Sequence, residues 1–233
     1  MTKKKTITTT TVVTTEEILN NKTQIVCILD ASSSMNDIID EARDGFNKFI
    51  GDQKKLEGDA TLSVATFSSG GENNGYQLLF NNKPINEVEN LTAKDWYGNG
   101  MTALHDAIGK TITDVSQSHE KLKKSDRPDK VLVVIITDGA ENSSREFNTT
   151  TVKALIEKMK KQDWEFLYLA ADQDAMLASS SIGGSAGNTL NYTNTSAGNA
   201  QMFNTLSNAT KGYRKMSKGS TFSSSIISDV TNK

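Results

Sequence analysis

The stretch Gln24-Ile25-Val26-Cys27-Ile28-Leu29-Asp30-Ala31-Ser32-Ser33-Ser34 decides how this chain folds. Residues 24–29 form an almost unbroken apolar run, too short for an ordinary helix and too continuous for a strand with one wet face. Such a run reads as a strand buried on both faces, as in a parallel sheet. Its end is abrupt, for a carboxylate and three hydroxyls follow within five residues. A second run, Val131-Leu132-Val133-Val134-Ile135-Ile136, ends in the same manner at Thr137-Asp138-Gly139. In an open α/β sheet, ligands bind beyond the carboxyl ends of the strands. Both acids therefore fall where a binding site belongs.

Working outward from these two strands, the chain alternates. Ile38, Ala42, Phe46, Phe49 and Ile50 recur at helical spacing and predict a helix over residues 35–50. Ala60–Phe67 is a second strand. A turn cluster at residues 70–75 leads into a third strand at residues 76–80, and so short a connection demands antiparallel pairing. Leu104, Ala107, Ile108, Ile112 and Val115 mark a helix beginning beyond Thr102. Lys130–Thr137 is the fourth strand, and Val152, Leu155, Ile156 and Met159 mark the next helix. Trp164–Ala170 is the fifth strand, a weaker one is expected near Asn191 and Tyr192, and Met202, Leu206, Ala209, Tyr213 and Met216 line a last helix. This is the pattern of an α/β protein with a doubly wound, mostly parallel sheet and helices on both faces. The expected organisation is a Lys/Thr-rich tail (1–22), one domain (23–216) and a Ser-rich tail (217–233).

Composition narrows the function. The 233 residues carry 26 Lys and Arg against 28 Asp and Glu, a net charge of −2, which gives no basic field for nucleic acid. Cys27 is the single cysteine, so an intrachain disulfide and a CxxC zinc site are excluded. Within its apolar run it reads as a buried, inert thiol. The opening Met1-Thr2-Lys3-Lys4-Lys5 is followed by threonines rather than an apolar stretch, so a signal peptide is not expected. No segment has the length of a membrane span. The expected address is cytoplasmic, or virion-associated if the source is viral.

A third segment, Gly100-Met101-Thr102, completes a set. Asp30 and Asp138 offer carboxylates, and Ser32, Ser34 and Thr102 offer hydroxyls. No His or Cys is among them, and such hard oxygen donors suit Mg²⁺, Mn²⁺ or Ca²⁺. Taken singly, Asp30 with its serines reads as a helix cap and Asp138-Gly139 as a turn. Three such segments at strand ends and a helix start read together as a metal site.

The strand ending in Asp-x-Ser-x-Ser, the later Gly-x-Thr opening a helix and the strand ending in Thr-Asp-Gly together resemble the von Willebrand factor A domain family. The similarity spans roughly residues 23–215, and the text around residues 102–108 and 136–143 resembles its microbial branch. Ser33 departs from the glycine that many relatives carry there, which matters only if that position needs positive φ. The resemblance implies a sheet order 3-2-1-4-5-6 and a metal-ion-dependent adhesion site. It further implies that Ser32 and Ser34 contact the cation, that Thr102 does so in one state, and that Asp30 and Asp138 hold waters or coordinate in another. A carboxylate from a partner protein would complete the shell.

Around this set, Glu141, Asn142, Asp172, Asp174 and His105 are candidates for the rim or for supporting contacts, and Asp106 reads as a first-turn helix acid. Trp96 and Tyr97 either anchor a partner or pack their loop. Gly183-Gly184-Ser185-Ala186-Gly187 matches a nucleophile-elbow pattern, but no strand leads into it and both His105 and His119 precede it. Catalysis is not expected. The functional expectation is a metal-dependent protein-binding module, without nucleic-acid or membrane partners. The alternative is a scaffold protein of a virus or larger assembly whose metal only stabilises the loops. An AAA+ ATPase partner follows from family analogy alone.

Overall fold

The computed structural model describes residues 22–71, 75–171, 173–185 and 187–220, with the side chains of residues 173–175 left out. The expected tails therefore fall largely outside the described residues. The elements run β1 (Thr23–Asp30), a 3₁₀ turn (Ser33–Asp37), α1 (Ile39–Lys54), β2 (Ala60–Phe67), β3 (Gln77–Pro84), α2 (Leu104–Lys121), β4 (Lys130–Thr137), α3 (Thr149–Lys160), β5 (Trp164–Ala170), α4 (Gln173–Ser181), β6 (Thr189–Asn191) and α5 (Ser196–Lys215), with two further 3₁₀ turns at Ile85–Glu87 and Lys124–Asp126. They build a six-stranded sheet in the order β3-β2-β1-β4-β5-β6. Every pairing is parallel except β2 with β3.

Strand alternation divides the core. Ile25, Cys27 and Leu29 of β1, with Leu132, Val134 and Ile136 of β4, face α1 and α5, where Phe46, Phe49, Met202, Phe203 and Leu206 are buried. Val26 and Ile28, with Val131, Val133 and Ile135, face α2 and α3 and meet Leu104, Ile108, Ile112, Val152 and Ile156. The side chain of Cys27 is buried, and burial pushes its thiol far above the ordinary range. Asp30 and Thr137 continue the α2-facing parity at the ends of neighbouring strands. That shared parity makes their side chains meet.

Two local expectations are corrected. The first helix does not begin as an α-helix at Met35. The chain makes the 3₁₀ turn, Ile38 departs from helical geometry at φ −131° and ψ 3°, and α1 starts at Ile39. The backbone bonds here are of the tighter i→i−3 kind, with the Met35 N–H on the Ser32 carbonyl at 3.1 Å and the Ile38 N–H on the Met35 carbonyl at 3.0 Å, while the Ser33 N–H anchors the turn to the Gly100 carbonyl at 2.9 Å. The α-helical N-terminus is thus displaced from the serines. Likewise β3 runs on to Pro84 rather than ending at Phe80. Its second half lacks apolar alternation and is held by side chains: the Asn82 N–H donates to Ser63 Oγ at 2.9 Å and Thr61 Oγ1 donates to Asn82 Oδ1 at 2.7 Å, with Asn82 at φ 54°.

The end of the sheet opposite the candidate site is closed by two buried cations. Lys130 Nζ donates to the carbonyls of Tyr213, Arg214 and Met216, capping α5. Arg214 in turn donates to the carbonyls of Gln53 (2.7 Å), Leu56 (3.5 Å), Glu57 (3.2 Å) and Gly58 (2.9 Å), capping α1. Cations at helix C-termini complement the helix dipole and satisfy carbonyls that the helix leaves open. Replacing Arg214 by Met should cost about 3 kcal/mol in urea unfolding, because buried carbonyls lose a charged donor. Lys215→Met, at an exposed position one residue on, should stay within about 0.5 kcal/mol of the parent. Equal effects would show that the cap contributes nothing.

Candidate metal centre

Beyond the ends of β1 and β4, the first and third segments meet. Asp30 is fully buried, and Ser32, Thr102 and Asp138 are nearly so, while Ser34 is exposed. Asp30 accepts from the Ser32 N–H at 2.8 Å and from Thr137 Oγ1 at 2.6 Å. Ser32 Oγ and Ser34 Oγ lie 3.0 Å apart, and Ser34 Oγ donates to Asp138 Oδ1 at 2.8 Å. The second segment closes the set, since a Cβ placed on Gly139 would come 3.3 Å from Thr102 Oγ1. All five expected residues are thus gathered in one place. The non-glycine residues with positive φ, among those described, are Asn82 and Asp163. Ser33 therefore has ordinary backbone geometry, and a serine between Ser32 and Ser34 is accommodated.

The electrostatics favour a cation. Burial pushes the Asp30 carboxyl up to about 6, and the neighbouring Asp138 charge adds to this, while hydrogen bonds from Thr137 and Ser32 pull the other way. No ion pair to Asp30 occurs among the described residues. A buried carboxylate without a counter-charge is costly. Two carboxylates and three hydroxyls form a hard oxygen donor set, and hydroxyl protons can rotate away to present a lone pair. On these observations the residues fit a divalent cation.

The remaining candidates hold the loops. Asn142 accepts from the Thr102 N–H at 2.9 Å, and its own N–H returns to the Thr102 carbonyl at 3.1 Å. Glu141 accepts from the N–H groups of His105, Ser143 and Ser144 and from the Ser144 hydroxyl. His105 turns inward, with Nδ1 3.7 Å from Glu141, and burial lowers its pKa against the pull of Glu141 and Asp106. Asp106 is more than a first-turn acid: it accepts from the backbone N–H groups of Arg145, Glu146 and Phe147 at 2.8–2.9 Å. Burial opposes its charge, yet those three donors hold its carboxyl below the usual range. Asp172 and the side chain of Asp174 lie outside the described residues.

Two contributors, Thr137 and Asn194, were not anticipated as such. Thr137 was visible only as part of a strand end, although its parity with Asp30 is a usable signal. Asn194 Nδ2 donates to Asp138 Oδ2 at 3.1 Å, and nothing local in the sequence points to it. Trp96 is buried and donates from Nε1 to the Asp30 carbonyl at 2.8 Å, so its packing role is the one realised. The Gly183–Gly187 pattern follows α4 rather than a strand, and the Ser185 N–H and hydroxyl both turn to Asn188 Oδ1. That is not the strand-to-helix elbow such a nucleophile needs.

The von Willebrand factor type A domain profile matches residues 24–208, and the chain belongs to that family. No curated protein sequence matches it. Among solved structures, proximal thread matrix protein 1 from the mussel byssus is similar, with 16% identity over 81% of this chain and 46% of that one, at a TM-score of 0.58. A second structure of that protein, described as having a zinc-occupied MIDAS motif, shares 14% identity over 81% of this chain and 48% of its own, at 0.57. The pilus adhesin SpaC of Lactobacillus rhamnosus GG, in an open conformation, shares 14% identity over 81% of this chain and 30% of its own, at 0.61. The chain spans less than half the length of each, and these likenesses establish the fold. They lend the expected cytoplasmic address no support. Among the described residues, no helix is long and apolar enough to cross a membrane.

Asp106→Ala should release the loop after β4. Amide exchange at Arg145, Glu146 and Phe147 is expected to rise at least about tenfold, equivalent to about 1.4 kcal/mol of lost protection. Unchanged exchange would mean that the loop is held by other contacts.

Proposed function

We propose that this von Willebrand A domain is a divalent-metal-dependent protein-binding module. Asp30, Ser32, Ser34, Thr102 and Asp138 would hold the cation, taken as Mg²⁺ with Mn²⁺ or Ca²⁺ as the other hard-ion choices. A coordination position left open to solvent would take an Asp or Glu carboxylate from a partner protein. The observation that carries this reading is the fully buried Asp30 carboxylate, without an ion pair among the described residues, beside the Ser32–Ser34 hydroxyl pair and Asp138. Family membership supports an interaction module of this kind. Asn142 and Glu141 act as supporting residues that hold Thr102 and the helix start behind it. No residue of the set is placed as a general acid, base or nucleophile.

Calorimetric titration of metal-stripped protein with Mg²⁺, Mn²⁺, Ca²⁺ and Zn²⁺ tests the site. One saturable event is expected, and metal at about 100 times its Kd should add about 2.7 kcal/mol of stability. Both effects should vanish in Asp30→Ala and Asp138→Ala. Asn142→Ala should keep the event but weaken it about tenfold, as loss of a supporting contact does. Metal binding that survives in Asp138→Ala would remove these residues from the site. Absence of any binding in the parent would leave the structural scaffold as the better reading.

A further inference from the structure

Among the described residues three large apolar side chains stand exposed: Tyr97 at 53%, Met101 at 55% and Leu177 at 69%. Two of the three lie within five residues of each other, on the loop that ends at Thr102. This loop is not loose. Trp96 is buried and bonded to the Asp30 carbonyl, the Asn99 N–H donates to the Ala31 carbonyl at 2.7 Å, and the Gly100 carbonyl accepts from the Ser33 N–H. The Met101 N–H donates to Ser69 Oγ at 2.8 Å and the Thr102 N–H to Asn142. The loop also lies too close to its neighbours for a side chain at two points. A Cβ on Gly98 would meet the Ser32 carbonyl at 2.9 Å, and one on Gly100, at φ +76°, would meet the Gly70 N at 2.6 Å. The backbone around Tyr97 and Met101 is therefore pinned, by Gly98 and Gly100 to the serine loop and by Gly100 and Met101 to residues 69–70 after β2, so presenting the two exposed side chains adds little backbone ordering cost on binding.

We infer that Tyr97 and Met101 form an apolar rim of the metal face, and that the partner presents its acidic residue between large apolar side chains. This rests on the metal-dependent reading. Two carboxylates already balance a divalent cation, so a single incoming carboxylate adds limited net attraction. Exposed aromatic and thioether surface beside it supplies the area from which interface hot spots are made. Residues 96–102 carry no formal charge. A polyanion such as nucleic acid or an acidic polysaccharide would need basic groups there. A protein segment with an isolated acid among apolar neighbours is the occupant this surface complements.

Two peptides test the inference: acetyl-Gly-Leu-Glu-Leu-Gly amide and acetyl-Gly-Gly-Glu-Gly-Gly amide, titrated by NMR into the full chain at saturating Mg²⁺. The leucine-flanked peptide should bind about tenfold more tightly. The preference should disappear in Tyr97→Ser/Met101→Ser and persist in Tyr97→Phe, with Mg²⁺ affinity unchanged in both. Equal affinity for the two peptides, no binding of either, or glucuronate binding as tightly as the leucine peptide overturns the inference. So does a preference that survives the double substitution. A Mg²⁺ titration of the same samples separates the two failures. Mg²⁺ bound without a preference removes only the rim, whereas no Mg²⁺ binding by the parent removes the metal reading and the rim with it.

Discussion

A buried carboxylate at the end of the central strand is the constraint on which the rest of this molecule depends. Asp30 closes β1, which lies between β2 and β4, and its side chain reaches across to Thr137 at the end of β4. Its carbonyl receives Trp96, and the next residue donates to Phe67 of β2 and accepts from Asn99. One short stretch of backbone thus ties together three strand ends and the loop that carries Thr102. Burying the acid among apolar neighbours has an electrostatic cost, and that cost is reduced only where donors or a cation converge on it. The geometry of the surrounding loops is the set of conformations that brings donors to this point.

Four acidic residues at this end of the sheet fall into two kinds by the nature of their partners. Asp106 and Glu141 are filled mostly by backbone N–H groups, five at Arg145, Glu146, Phe147, Ser143 and His105 and a sixth at Ser144. Such donors cannot reverse their polarity, so these two carboxylates act as fixed caps for otherwise open loop amides. Asp30 and Asp138 each combine an amide donor, the Ser32 N–H and Asn194 Nδ2, with a hydroxyl, that of Thr137 and of Ser34. A hydroxyl is donor or acceptor as its proton rotates. The same serine that now satisfies a carboxylate can turn its lone pair to a cation without moving its backbone.

Much of this was readable before any coordinates. Ala60–Phe67, Lys130–Thr137 and Trp164–Ala170 coincide with their expected bounds, since each is a short stretch rich in β-branched, aromatic or other apolar residues that ends at polar loop residues. The antiparallel β3 followed from a connection too short to cross the sheet. Its polar second half did not, because Asn82 and its hydroxyl partners hold it by contacts that leave no periodicity. The 3₁₀ turn at Ser33–Asp37 was hidden for a similar reason: its start is anchored to the carbonyl of Gly100, a residue distant in sequence. The five clustered residues were found as three local motifs. Asn194 and the amide-capping role of Asp106 arise only from tertiary contact and have no local signature.

The polarity of the parallel strands gives the domain two unlike ends. At one, Lys130 and Arg214 cap the C-termini of α5 and α1, with their charge spent on backbone carbonyls. At the other, the carboxylates gather where the strands finish. A cation held there by two acids, as proposed, would be formally neutral, so it would orient an incoming carboxylate but offer little to tell one acidic protein from another. Selectivity must then come from groups around the cation that are held rigidly, since a mobile rim would lose on ordering what it gains on contact. The tightly bonded loop from Trp96 to Thr102 meets that requirement. Gly98 lets the backbone lie against the serine loop and Gly100 against Gly70, and the loop's two large side chains are left facing solvent. On the proposed reading, affinity for a carboxylate and choice among carboxylates would be separate properties of this surface, the first set by Asp30 and its hydroxyls and the second by the loop next to them.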